Sequence, residues 1–204
     1  RDASDSDHFL RCSVVLEGVV TTSNEDGSTN ISPMGPIVSS EVFQDFTLRP
    51  FQTSQTYRNL KRCGEGVLHI TDDVELIARA AIHRLDPRPE LVPAEKVQAK
   101  AIANACRWLE FEVQSIHDED ERTTIECAVV HVHRIRDFFG LNRAKHAVIE
   151  AAILATRVHF LPAGGILEEM QRLQTLVDKT GGAAEHAAAA YPGPSGRSWA
   201  DLGL

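Results

Sequence analysis

The strongest constraint on the fold is a pair of alternating runs near the middle of this 204-residue chain. Residues 108–116 (WLEFEVQSI) and 124–135 (TIECAVVHVHRI) alternate apolar and polar side chains. That period of two suits strands with one buried face. The charged loop 117–122 (HDEDER) joins them, so 108–135 predicts one long antiparallel hairpin. A second hairpin is written earlier. The β-rich stretch 13–22 (SVVLEGVVTT) runs into Ser23-Asn24-Glu25-Asp26-Gly27, and 28–33 returns. Asp-Gly favours the positive φ of a tight hairpin turn. Shorter β stretches follow at 37–40, 45–49 and 66–70 (GVLHI).

Helices are expected between and after these strands. Residues 52–62 and 94–107 contain neither Gly nor Pro, and the second stretch is rich in Ala. Asp72-Asp73 can cap a helix over 74–85, where Val74, Ile77, Ala78, Ala81, Ile82 and Leu85 share one face. Residues 142–158 are rich in Ala, Ile and Leu, and 166–179 place Ile166, Met170, Leu173 and Val177 on one face. Residues 86–93 hold three prolines and read as a connector. A loose acidic arm is expected over 1–8 and a low-complexity, disordered tail over 181–204. This order is not βαβ alternation. It predicts an antiparallel β structure, closed toward a barrel, with helices packed outside.

The net charge is −8, with no basic half or tail. That argues against a general nucleic-acid or anionic-membrane binder, which relies on a summed basic field. It leaves room for one small anionic ligand at a local site. Cys12, Cys63, Cys106 and Cys127 form no CxxC pair and are too sparse for a disulfide scaffold. A reducing, cytoplasmic setting is therefore expected. No apolar run approaches the ~18 residues of a membrane span, and the opening RDASDSDH has no signal-peptide core.

Two segments stand out from the acidic background. Residues 27–40 (GSTNISPMGPIVSS) are fourteen consecutive uncharged residues. Such a strand can lie against a flat neutral heterocycle and offer it backbone groups; it can equally be a sheet edge with a Pro-Gly turn. Residues 46–62 (FTLRPFQTSQTYRNLKR) carry Arg49, Arg58, Lys61 and Arg62 and no acid. Hydroxyls at a helix start beside an Arg make an anion site, and the same pattern fits a capped, solvated helix.

Together these segments resemble the FMN-binding split-barrel superfamily, which includes flavin reductases and pyridoxamine-phosphate-oxidase-like proteins. The residues that carry the likeness are Val19-Val20-Thr21-Thr22, Asp26-Gly27, Asn30-Ile31-Ser32-Pro33-Met34, Arg49, Thr53 and Thr56-Tyr57-Arg58-Asn59-Leu60. The branch it most resembles is the domain-of-unknown-function 447 family. There the second half is matched by residues 125–132, by Asn142-Arg143-Ala144-Lys145, by Ile149-Glu150-Ala151 and by Ala155-Thr156-Arg157. The resemblance implies an α+β fold, an antiparallel split β-barrel with flanking helices and a C-terminal helical pair. The domain would cover 9–180, with the helical part from about 142. The resemblance also implies FMN as cofactor, with Asn30, Ser32, Met34 and Gly35 near the flavin ring. Arg49, Thr53, Thr56 and Asn59 would then lie at its phosphate. It implies a homodimer with the cofactor at the subunit interface, the partner contributing Asn142 and Arg143. No dedicated proton donor or nucleophile is evident, and the branch has no settled reaction to transfer.

The function expected is a flavin-dependent oxidoreductase of unknown substrate. The superfamily equally admits a non-catalytic carrier or sensor of flavin, deazaflavin or haem, and the helix at 142–158 could serve only dimerisation. No GxGxxG is present for a tightly held nicotinamide. His131 and His133 share one face of their strand and could ligate a metal, but no third ligand has recognisable spacing, so a structural or solvent-facing pair is the expectation. The acidic run 118–121 reads as a solvated loop.

Overall fold

The computed structural model describes residues 13–40, 42–157 and 161–190, and the chain forms two compact units. The first contains Glu90–Asp137 and the described part of Arg1–Thr71. Its strands are β1 (Val14–Val15), β2 (Gly18–Ser23), β3 (Thr29–Met34), β4 (Ile37–Val38), β5 (Asp45–Leu48), β6 (Glu65–Ile70), β9 (Arg107–His117) and β10 (Thr124–Arg134). They form one antiparallel sheet, in the order β1-β4-β5-β10-β9-β6-β2-β3, curled into a half-barrel. Helix α1 (Gln55–Cys63) follows β5, and β7 (Leu91–Pro93) and β8 (Lys100–Ile102) form a separate two-stranded hairpin packed on the large sheet.

Both expected hairpins are present. β2 pairs with β3 around a turn in which Gly27 takes a φ of 79°. β9 and β10 are 11 residues each and pair along their length, with register shifts at Glu126/Cys127 and Val129/His131. The barrel core is Val20, Phe46, Leu48, Leu60, Leu68, Leu109, Phe111 and Ile125, with Phe46 edge-on to Phe111 at 5.1 Å. Gly66 lets these layers close: a Cβ there would lie 2.8 Å from the Phe111 ring and 3.0 Å from the Thr21 carbonyl.

The helix expected over 94–107 does not form. The stretch is the β7–β8 hairpin, its loop, and the lead into β9. Its alanines favour helix locally, but tertiary contacts override that preference. Ala99 and Ala101 pack with Val67, Val97 and Trp108. The Glu110 carboxylate, 0% exposed, accepts the backbone N–H groups of Glu95 (2.8 Å), Lys96 (2.6 Å) and Val97 (3.2 Å), and these donors are lost to any helix.

The second unit is helical: α2 (Val74–Ala81), α3 (Arg143–Thr156), α4 (Ala163–Thr180) and α5 (Ala183–Ala189). Ala144, Ala147, Val148 and Ala151 of α3 pack with Ile166, Met170, Leu173 and Val177 of α4. The expected C-terminal pair is thus joined by two shorter helices. α5 lies in the stretch expected to be a disordered tail. Ala188 and Ala189 are buried in this core, and Glu185 caps the helix by accepting from Gly182 N at 2.8 Å. Alanine-rich sequence is low in complexity and also the best helix former, so packing decides. The arm expected at 1–8 and the tail at 191–204 lie outside the described residues.

Candidate functional site

β5 ends at Leu48, and the chain runs through Arg49, Pro50, Phe51, Gln52 and Thr53 into α1. This passage is fastened to the β9–β10 turn. Thr123 donates its N–H (3.0 Å) and Oγ1 (2.8 Å) to the Pro50 carbonyl. The Gln52 amide donates to the carbonyls of Asp118 (2.7 Å) and Asp120 (2.8 Å). Ser54 caps α1, its Oγ accepting from Tyr57 N at 3.2 Å. No acid lies in the first turn, so the positive end of the helix dipole is left for an external anion.

The locally basic run divides in two. Lys61 Nζ contacts Asp118 Oδ2 (2.7 Å) and the Tyr57 hydroxyl (2.8 Å), and that hydroxyl donates to Asp118 at 2.6 Å. Lys61 and Tyr57 hold the Asp118 carboxyl below the usual carboxylate range, and Asp118 holds the Lys61 ammonium above its own. Arg62 donates to the Ser23 carbonyl. Arg49 and Arg58 are exposed, and among the described residues neither has a side-chain partner. Two of the four cations are therefore committed to the scaffold and two are free for a ligand.

The Asn and Thr residues of the site meet one another. Asn30 Nδ2 donates to Thr22 Oγ1 (3.2 Å) and Thr56 Oγ1 (3.1 Å). Asn59 Nδ2 donates to Thr22 Oγ1 (2.9 Å) and Asn24 Oδ1 (2.8 Å), while its Oδ1 accepts from Gln55 at 2.8 Å. Thr56 and Asn59 are each 1% exposed. These bonds fix α1 to the β2–β3 hairpin. Ser32 and Met34 are half-buried on β3. At Gly35 a Cβ would lie 2.8 Å from the exposed Val15 Cγ1, so a side chain there would need Val15 to shift.

Asn142 and Arg143 belong to the second unit. Asn142 is the α3 cap: its Oδ1 accepts from Ala144 N (2.7 Å) and its Nδ2 donates to the Thr180 carbonyl (2.9 Å). Arg143 is exposed and, among the described residues, unpartnered. A cleft of about 410 Å³ opens between β1, β4 and the start of β9, walled by Leu16, Val38, Ser40, Phe43 and Arg107. The Arg107 guanidinium lies 5.5 Å over the Phe43 ring. None of the ten sequence-selected residues lines this cleft. Arg107 and Phe43 are 64 positions apart, and no local pattern joins them. Among the described residues, no helix is long and apolar enough to cross a membrane.

Comparison with known proteins bears on the fold and the family. No curated protein matches the chain. Among solved structures, an FMN-bound protein of the DUF447 family model from Methanosarcina mazei superposes with a TM-score of 0.73 at 23% identity, covering 90% of this chain and 96% of that one. The 2-nitrobenzoate 2-nitroreductase of Pseudomonas fluorescens gives 0.50 at 16% identity, over 66% of this chain and 73% of that one. The NADH:FAD oxidoreductase of Streptomyces globisporus gives 0.50 at 16%, over 66% and 81%. These likenesses show the split-barrel fold. Residues 16–136 match the model described as "Protein of unknown function (DUF447) N-terminal domain", and residues 142–191 match "Protein of unknown function (DUF447)". With its first model alone spanning more than half of the sequence, the chain belongs to the DUF447 family.

Proposed function

We propose that this protein binds FMN and is a flavin-dependent oxidoreductase working as a homodimer in the cytoplasm. One observation carries the reading: an unpartnered Arg49 and an exposed Thr53 at an acid-free helix start, next to an uncharged strand. The residues fit the group. A guanidinium and a helix N-terminus suit a phosphate, and β3 from Asn30 to Gly35 suits a flat neutral ring. The FMN-bound family relative supports the same ligand. When bound, the flavin supplies the hydride or electron transfer, and the protein supplies binding and orientation. Asn59 and Thr56 act here by holding α1 in place. In the dimer, Arg143 is the better candidate for a contribution to the partner's site, since Asn142 is occupied as a cap.

The test is FMN titration followed by flavin fluorescence. The double variant Arg49→Ala/Thr53→Ala weakens binding by ~2–4 kcal/mol if both groups meet the phosphate. Unchanged affinity, or no FMN binding by the unaltered protein, overturns the assignment. Reduction of the bound flavin by NADH or NADPH and reoxidation by an acceptor distinguish an enzyme from a carrier.

A further inference from the structure

The β7–β8 loop brings a carboxylate to two strand histidines. Glu95 Oε1 lies 3.4 Å from His131 Nε2 and 3.1 Å from His133 Nδ1. The ligand atoms of all three residues lie within 4.8 Å of one another. We propose that Glu95, His131 and His133 bind a divalent transition-metal ion of the zinc class, with a coordination position left open to solvent or a small oxygen ligand.

Three observations carry this. The first is spacing: two donors on a tetrahedral ion at about 2.0–2.1 Å are themselves roughly 3.3–3.4 Å apart. The Glu95–His131 separation falls there. The second is an unmet need. His131 Nε2 is buried yet makes no hydrogen bond, although the Glu95 oxygen stands close by. A buried ring nitrogen that stands beside a carboxylate without a hydrogen bond to it leaves a lone pair that a shared cation can take up. The third is the support behind the ligands. Glu110 holds the backbone N–H of Glu95 at 2.8 Å and the Trp108 indole N–H at 3.3 Å. Trp108 in turn stacks on the His133 ring, centroids 4.3 Å apart and planes within 10°. Such outer groups fix ligand orientation.

A β-bulge makes the cluster. Val129 pairs with Phe111, but His131 pairs with Glu110 and His133 with Trp108. The extra residue, Val130, inverts the alternation, so the histidines leave the face of Cys127 and Val129 and join that of Glu110 and Trp108. Two neutral imidazoles and one carboxylate leave a divalent ion with net positive charge, which suits an open, oxygen-binding position. The proposal stands independently of the flavin.

The test is calorimetric titration of the full chain, stripped with a chelator, with Zn²⁺. One ion per chain is expected, together with a rise in melting temperature. His131→Ala, His133→Ala and Glu95→Gln each remove a ligand and are expected to weaken binding by at least about 10-fold and to reduce the thermal shift. All three side chains are partly exposed, so the variants should fold, with circular dichroism as the check. His117→Ala, exposed and paired with Thr124 at the turn end of the β9–β10 hairpin, should bind as the unaltered chain does. Absence of binding, or a triple variant that binds with unchanged stoichiometry and affinity, overturns the proposal.

Discussion

The interior beneath the β7–β8 hairpin and the rim beside it use the same residue types with opposite outcomes. Inside, His69 and Glu110 are both 0% exposed and fully engaged. His69 Nδ1 donates to the Val19 carbonyl and Nε2 accepts from Ile102 N, each at 2.9 Å. Glu110 accepts three backbone N–H groups and the Trp108 indole. Burial alone would raise its carboxyl; the donors outweigh burial and hold it below the usual range. At the rim, Glu95, His131 and His133 cluster with one buried nitrogen unmet. A polar group that is buried and satisfied is part of the scaffold. One that is buried and unsatisfied points to something that binds.

The contrast breaks first at Glu110. Glu110→Ala strands three loop N–H groups and the Trp108 indole, and a loss of ~3–5 kcal/mol in urea unfolding is expected. A loss below ~1 kcal/mol would mean that the loop finds other partners and that Glu110 is not its anchor. Next comes pH. Burial pushes the His69 pKa down to about 4, from an ordinary 6.5, so the unfolded chain takes up this proton first. Stability from His69 is full above about pH 6.5 and is lost as pH falls toward 4, by about 3 kcal/mol in all. Unfolding measured between those limits should show the decline. A flat profile there would show that His69 is not held neutral at a cost to its charged form.

Much of this was legible in the chain. Both hairpins follow from period-two alternation around polar turns, and α3 lies within the stretch 142–158 expected to be helical. What was not legible is what folding joins across distance. Glu95 meets His131 over 36 positions, through a stretch whose alanines favour helix. The bulge at Val130 has no signature in VVHVH, yet it decides which face the histidines occupy. Lys61 and Asp118 sit in a basic run and an acidic run that each look solvated, and pair only because α1 lies against the β9–β10 turn.

The smallest expected effect tests the satisfied class at α1. Asn59 spends its entire amide on Thr22, Asn24 and Gln55, and is 1% exposed. Asn59→Ala should cost about 2 kcal/mol in urea unfolding, because Asn24 and Gln55 can turn to water while Thr22 keeps its bond from Asn30. The same variant separates scaffold from ligand contact. If Asn59 acts only by holding α1, FMN affinity should fall far less than for Arg49→Ala/Thr53→Ala. An equal or larger fall would put Asn59 in contact with the phosphate and would mean that a side chain with every bond already made can still be a binding residue, which is the inference the comparison of interior and rim forbids.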